Sequence, residues 1–170
     1  GARHALSALA RATAAQARGR APSAGNLHLT LAFLGDVAAT RIAALQAIGP
    51  AVASAVAPFT VTLDRVGAFD NGEIAWVDAS APPGELEQLV QLLTGALAKD
   101  GFPTERRAFH PHVTLARRCR HPTGSGTIVS IAWRVERITL NASERAPSGP
   151  RYRELGAWSL GSHEADRTTS

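Results

Sequence analysis

One pair of residue types recurs at one spacing. His28 and Thr30 stand two residues apart in NLHLTLAFLG (26–35), and His112 and Thr114 do the same in FHPHVTLARR (109–118). Both runs are apolar and β-prone, and on a strand residues i and i+2 project from the same face. Each strand then carries an imidazole and a hydroxyl on one side. Aliphatic and aromatic residues occupy the other: Leu27, Leu29, Leu31 and Phe33 in the first strand, Val113 and Leu115 in the second. With the two polar faces lining one cleft, the set suits in-line displacement at phosphorus. One histidine takes a proton from the entering oxygen while the other gives one to the leaving oxygen. Imidazole does either near neutral pH. Threonine hydroxyls donate to the non-bridging oxygens, where charge builds. Such chemistry calls for no metal and no cofactor. A single His-x-Thr is a weak signal, because short motifs match by accident; two copies, each inside a longer matching string, are not.

The elements that hold these residues are legible from periodicity. Apolar positions at helical spacing predict a helix over 2–18, followed by the turn-rich linker GRAPSAG (19–25). A strand is expected over 26–34, then a helix over 37–56 capped by Asp36 and ending before Pro58. FTVTLDRVGAF (59–69) and EIAWVDA (73–79), joined by DNG, predict a hairpin. Leu86, Leu89, Leu93 and Leu97 form the stripe of a helix that Gly101 stops. The second His-x-Thr strand covers about 110–117, HPTGSG (121–126) is a loop, and strands are expected over 131–141 and 151–160. The tail beyond residue 160 is expected to fray. The motifs lie about half a chain apart, which suggests two similar lobes. The fold class is α+β, with mostly antiparallel sheets, outer helices and the cleft between the lobes.

Size and charge bound the function. A chain of 170 residues is long enough for one domain with a sizeable core. Hydrophobic residues at 45% and charged residues at 19% read as soluble and globular. No apolar run reaches the length of a membrane span, and no signal sequence is evident, so a cytoplasmic monomer is expected. The lone Cys119 makes no intrachain disulfide, and nothing marks it as a nucleophile. Formal charge is +4, and of 18 basic residues only Lys99 is lysine. Arginine suits phosphate recognition, so the charge reads either as solubility or as affinity for an anionic partner such as nucleic acid.

HLTLAFLG and PHVTLAR resemble the paired signatures of the two-histidine phosphoesterases, and most of all the RNA 2′,3′-cyclic phosphodiesterases, also called 2′-5′ RNA ligases. GAF…EIAWVDA and RYRELGAWSL add to the likeness, which spans about residues 20–160. The resemblance implies a two-lobed α+β domain that hydrolyses RNA 2′,3′-cyclic phosphate ends to 2′-phosphomonoesters, with 2′-5′ joining as the reverse reaction. It implies His28 and His112 as the acid–base pair, Thr30 and Thr114 as phosphate ligands, and Arg117 as a further phosphate contact. His112 is assigned as the base for water and His28 as the acid. Family members open with a short apolar strand before the first helix. This chain begins in the helix, which implies a gap in one sheet. Strict alternation puts Arg117 on the face opposite His112, so it reaches phosphate only through a bulge, a strand end or a curled side chain.

Other readings stay open. His110, His112 and His28 could form a three-histidine zinc site, although zinc leaves the paired threonines unexplained; His110 is otherwise a supporting residue. Trp76 and Tyr152 could stack on a base, against the blander role of packing; Trp133 and Trp158 read as packing. Arg106, Arg107, Arg118 and Arg120 bracket the second motif as an RNA-attracting patch or an ordinary solvated face. A non-catalytic module that binds an RNA end, and a phosphodiesterase for another cyclic phosphate or a 2′-5′ linked oligonucleotide, are the rival functions.

Overall fold

The computed structural model describes residues 1–105, 107–121, 124–144 and 150–161. Three helices, α1 (Ala2–Ala17), α2 (Ile42–Ser54) and α3 (Gly84–Lys99), accompany six strands: β1 (Phe59–Phe69), β2 (Ile74–Asp78), β3 (His112–Arg117), β4 (Gly126–Val135), β5 (Arg137–Glu144) and β6 (Arg151–Ser159). All pairings are antiparallel, in a four-stranded sheet of order β3-β2-β1-β4 and a two-stranded sheet of β5 and β6. The α+β class follows from this arrangement.

Most local expectations hold for stated reasons. The β1–β2 hairpin turns through Asp70–Gly72, where Asn71 (φ 56°) and Gly72 (φ 97°) take left-handed backbone that these two residue types tolerate best. Along α3, Leu86, Leu89 and Leu97 are buried, and Gly101 at φ 73° ends the helix. These leucines join Leu6 and Ala10 of α1, Ile48 and Val52 of α2, and Val61, Leu63, Val77, Val113 and Leu115 of the larger sheet in one core. Burial of each leucine contributes about 1.5–3 kcal/mol. A second seam of Ala14, Ala17, Ala75, Ala116 and Cys119 lets α1 lie close against β2 and β3. Cys119 is buried there, as a packing residue.

Four expectations need correction. Residues 26–34 do not form a strand; Leu29 makes one isolated antiparallel bridge to Val113, and that is all. The segment runs beside β6, with Asn26 Nδ2 donating to Pro150 O at 2.9 Å, but outside the β5–β6 ladder. A bend at Leu31 then reverses the alternation: Ala32 and Leu34 pack on the core, and Phe33 is 69% exposed rather than inside. The second helix starts at Ile42, after a 3-10 turn at Ala39–Arg41, because the chain bends at Gly35 (φ 65°) and Asp36 before it coils; no side chain caps it. The strand expected over 131–141 is two strands, broken at Glu136. The tail beyond residue 161, Arg106 and part of the 121–126 loop lie outside the described residues.

Candidate active site

The site is built on one face of the larger sheet. Registers pair Arg65 with Asp78 and Asp78 with His112, forming one row across β1, β2 and β3; Gly67, Trp76 and Thr114 form the next. Paired residues in an antiparallel sheet share a face, so Asp78, Trp76, His112 and Thr114 project together. Beyond Thr114 the register slips: Trp76 pairs with Thr114 but Ala75 pairs with Ala116, which leaves Leu115 as the extra residue of a β-bulge. Leu115 and Ala116 are both buried. Arg117 therefore pairs with Ile74, which shares its face with Trp76 and Asp78. The bulge turns Arg117 onto the His112 face, against strict alternation.

The Leu29–Val113 bridge joins the two motifs. An antiparallel bridge sets the flanking residues opposite each other, His28 toward Thr114 and Thr30 toward His112. Leu29 and Val113 point into the core, so all four polar side chains point away from it, together. His28 and Thr30 are exposed, while His112 and Thr114 are half-buried.

Both imidazoles are held in the same way. His28 Nδ1 donates to Asn26 O at 2.6 Å, and His112 Nδ1 donates to His110 O at 2.8 Å. A carbonyl only accepts, so the proton sits on Nδ1 in each ring and Nε2 is left for chemistry. The carbonyl two residues upstream sets the tautomer in both motifs. His112 is held below the ordinary histidine value chiefly by burial, with the positive charges of His110 and Arg117 adding to it; the His110 carbonyl and Asp78 act the other way. Neutral His112 has the character of a base.

Asp78, fully buried, anchors the support behind His112. Arg65 reaches it with two donors, Nε to Oδ1 at 2.9 Å and Nη2 to Oδ2 at 2.7 Å, and His110 Nε2 donates to Oδ2 at 2.6 Å. Burial alone would raise its pKa, but the hydrogen bonds from Arg65 and His110 and their charges hold it below the usual carboxylate range. His110 thus spends its Nε2 on Asp78 and its carbonyl on His112. Among the described residues, no three His, Cys, Asp or Glu side chains converge as a metal site. Phe69 sets its edge against His112 at 5.0 Å and His110 at 5.4 Å, and Trp76 meets His110 at 4.9 Å. A Cβ on Gly67 would lie 2.4 Å from the Trp76 ring, so glycine is what lets the indole lie there. Tyr152, on β6, stands edge-on to His28 at 4.8 Å and is 37% exposed. Trp133 and Trp158 pack against the core. Arg107, Arg118 and Arg120 are exposed.

Sequence reasoning brought out the four motif residues and missed Asp78, Arg65 and Phe69. Asp78 carried a signal: a charged residue at the end of an otherwise apolar buried strand requires a partner.

Antiparallel sheets with paired His-x-Thr segments on one face define a two-histidine phosphoesterase. A sequence profile of the 2′-5′ RNA ligase superfamily matches residues 3–145. The RNA 2′,3′-cyclic phosphodiesterase of Escherichia coli is 36% identical over 147 residues, covering 84% of this chain and 80% of the relative. The Thermus thermophilus protein of the same name is 34% identical over 142 residues, covering 79% and 72%. Among solved structures, Escherichia coli LigT complexed with 3′-AMP superposes with a TM-score of 0.77 at 32% identity, over 92% of each chain. A Thermus thermophilus structure gives 0.80 at 31%, over 94% of this chain and 91% of that one. The chain belongs to the 2′-5′ RNA ligase superfamily.

Proposed function

We propose that this protein is a phosphodiesterase that opens RNA 2′,3′-cyclic phosphate ends to 2′-phosphomonoesters, with His28 and His112 as the acid–base pair. The observation that carries the reading is the single Leu29–Val113 bridge, which turns both His-x-Thr pairs onto one face. His112, kept neutral by burial, accepts the proton of the attacking water at Nε2. His28, more open to solvent, must enter the reaction as the imidazolium, with a second proton on Nε2, and gives that proton to the leaving 3′-oxygen. Thr30 and Thr114 donate to the non-bridging oxygens, and Arg117, on the same face through its bulge, offsets the charge that gathers there. Entering and leaving oxygens lie on opposite sides of phosphorus, and each histidine stands across from the threonine of the other motif. The relatives' shared name and the 3′-AMP found in LigT support a nucleotide substrate.

The test is a short RNA ending in a 2′,3′-cyclic phosphate, incubated with EDTA, the 2′- and 3′-phosphate products being resolved. Wild type is expected to yield the 2′-phosphate. His28→Ala and His112→Ala should each lose at least roughly 10²-fold in kcat with unchanged circular dichroism. Tight binding of the cyclic end with no turnover would instead establish a binding module.

A further inference from the structure

Beyond the Arg117 end of β3 lies a second basic feature, separate from the histidines. The C-terminus of α1 and the turn after β3 face each other across a concavity of about 290 Å³ lined by Arg18, Gly19, Arg20, Arg118 and Arg120. Its lining holds four arginines and no carboxylate. None of the four forms an ion pair among the described residues.

The scaffold beneath them is fixed. Arg20 N donates to Arg117 O at 2.8 Å, and Arg117 N donates back to Arg20 O at 3.0 Å. Arg120 N and His121 N both donate to Ala17 O, at 2.8 and 3.1 Å. A Cβ on Gly19 would lie 2.9 Å from both Arg117 O and Cys119 Sγ, so the two loops touch and only glycine fits between them. Arg18 (φ 49°) and Arg118 (φ 54°) both hold left-handed backbone, which is uncommon outside glycine, asparagine and aspartate. Arginine near the end of a helix complements its exposed carbonyls. That accounts for Arg18 and Arg20, not for Arg118 and Arg120, which arrive from another loop. Four like charges around a lining that holds no acid repel one another, and a polyanion would relieve them.

We propose that this concavity binds the sugar–phosphate backbone of the RNA, at nucleotides upstream of the cyclic end. The proposal rests on the functional reading above and extends it from the reacting phosphate to the body of the strand. The arginines gather at the Arg117 end of β3, a rise of about 17 Å from His112, so a strand of several nucleotides lays far more of its backbone over them than a mononucleotide does. Guanidinium groups take phosphate oxygens in pairs without regard to base, which makes the site one for length rather than sequence.

The experiment compares wild type with a variant carrying Arg18→Asn, Arg20→Gln, Arg118→Asn and Arg120→Gln, asparagine being chosen where φ is positive. The substrates are adenosine 2′,3′-cyclic phosphate and an octanucleotide ending in a cyclic phosphate. Mononucleotide turnover should be unchanged, which also certifies the fold. For the octanucleotide, KM should rise at least tenfold at low salt with kcat held. Binding of a 3′-phosphorylated octanucleotide, followed by anisotropy, should lose about 0.7 of log–log salt slope per arginine removed. An octanucleotide KM and salt slope equal to wild type would overturn the proposal, as would equal losses on both substrates. If wild type hydrolyses neither substrate, the functional reading falls, and the anisotropy slope alone decides the concavity.

Discussion

At the scale of residues, the two histidines are alike in tautomer and unlike in surroundings. Each donates Nδ1 to the carbonyl two positions upstream, yet His112 sits deeper and its proton affinity is lowered. If His112 is the base, the acidic limb of the kcat/KM profile reports its titration, because the free enzyme must hold it neutral. That limb should fall below 6.5, the ordinary histidine value. A limb at or above that value would remove His112 from the role. Behind it, Asp78→Ala strips Arg65 and His110 of their shared acceptor. Arg65 is 47% exposed, so its charge returns to water, and the expected cost is about 2 kcal/mol, as for loss of a hydrogen bond to a charged group. Urea unfolding measures it. Catalysis should drop as well, since the segment at His110 loses the side-chain anchor that helps hold its backbone carbonyl toward His112.

At the scale of elements, the two motifs were equally legible as strings and fold differently. His112–Arg117 is paired along its length with β2, whereas 26–34 makes only the Leu29 bridge. Alternation marks an extended segment with two faces; it says nothing about whether a neighbouring strand is there to bond it. The same limit hid the bulge at Leu115, which depends on the partner's register and not on the run VTLAR itself. It also explains Phe33, read as inward from a period that the bend at Leu31 breaks. Hydrogen exchange should display the contrast. The amides by which β3 bonds β2 are expected to exchange only through global unfolding; those of 30–34 should exchange through small local openings. Equal protection of both segments would mean that the first motif is held by more than its bridge.

At the scale of the whole molecule, the class of fold was readable because each helix stripe and the hairpin follow short-range rules. The Asp78 network was not, because it joins β1, β2 and the segment leading into β3, whose proximity only the sheet order reveals. That network also couples the site to acid stability. The lowered Asp78 value means that its contribution is complete above the ordinary 3.8 and is lost as pH falls through the lower folded-state value. His112 acts in the same direction at a higher window: the unfolded chain takes up its proton first, so stability declines as pH drops below 6.5. Thermal midpoints should therefore fall on acidification in two stages, the upper one vanishing in His112→Gln.

The contact of Trp76 with Gly67 has an optical consequence. Its indole stands one ring away from His110 and from Phe69, and Phe69 touches His112. The other two tryptophans, Trp133 and Trp158, pack against the core instead. With those two replaced by phenylalanine, the emission of Trp76 alone would follow the charge state and occupancy of the site in real time, and the protein would carry its own reporter.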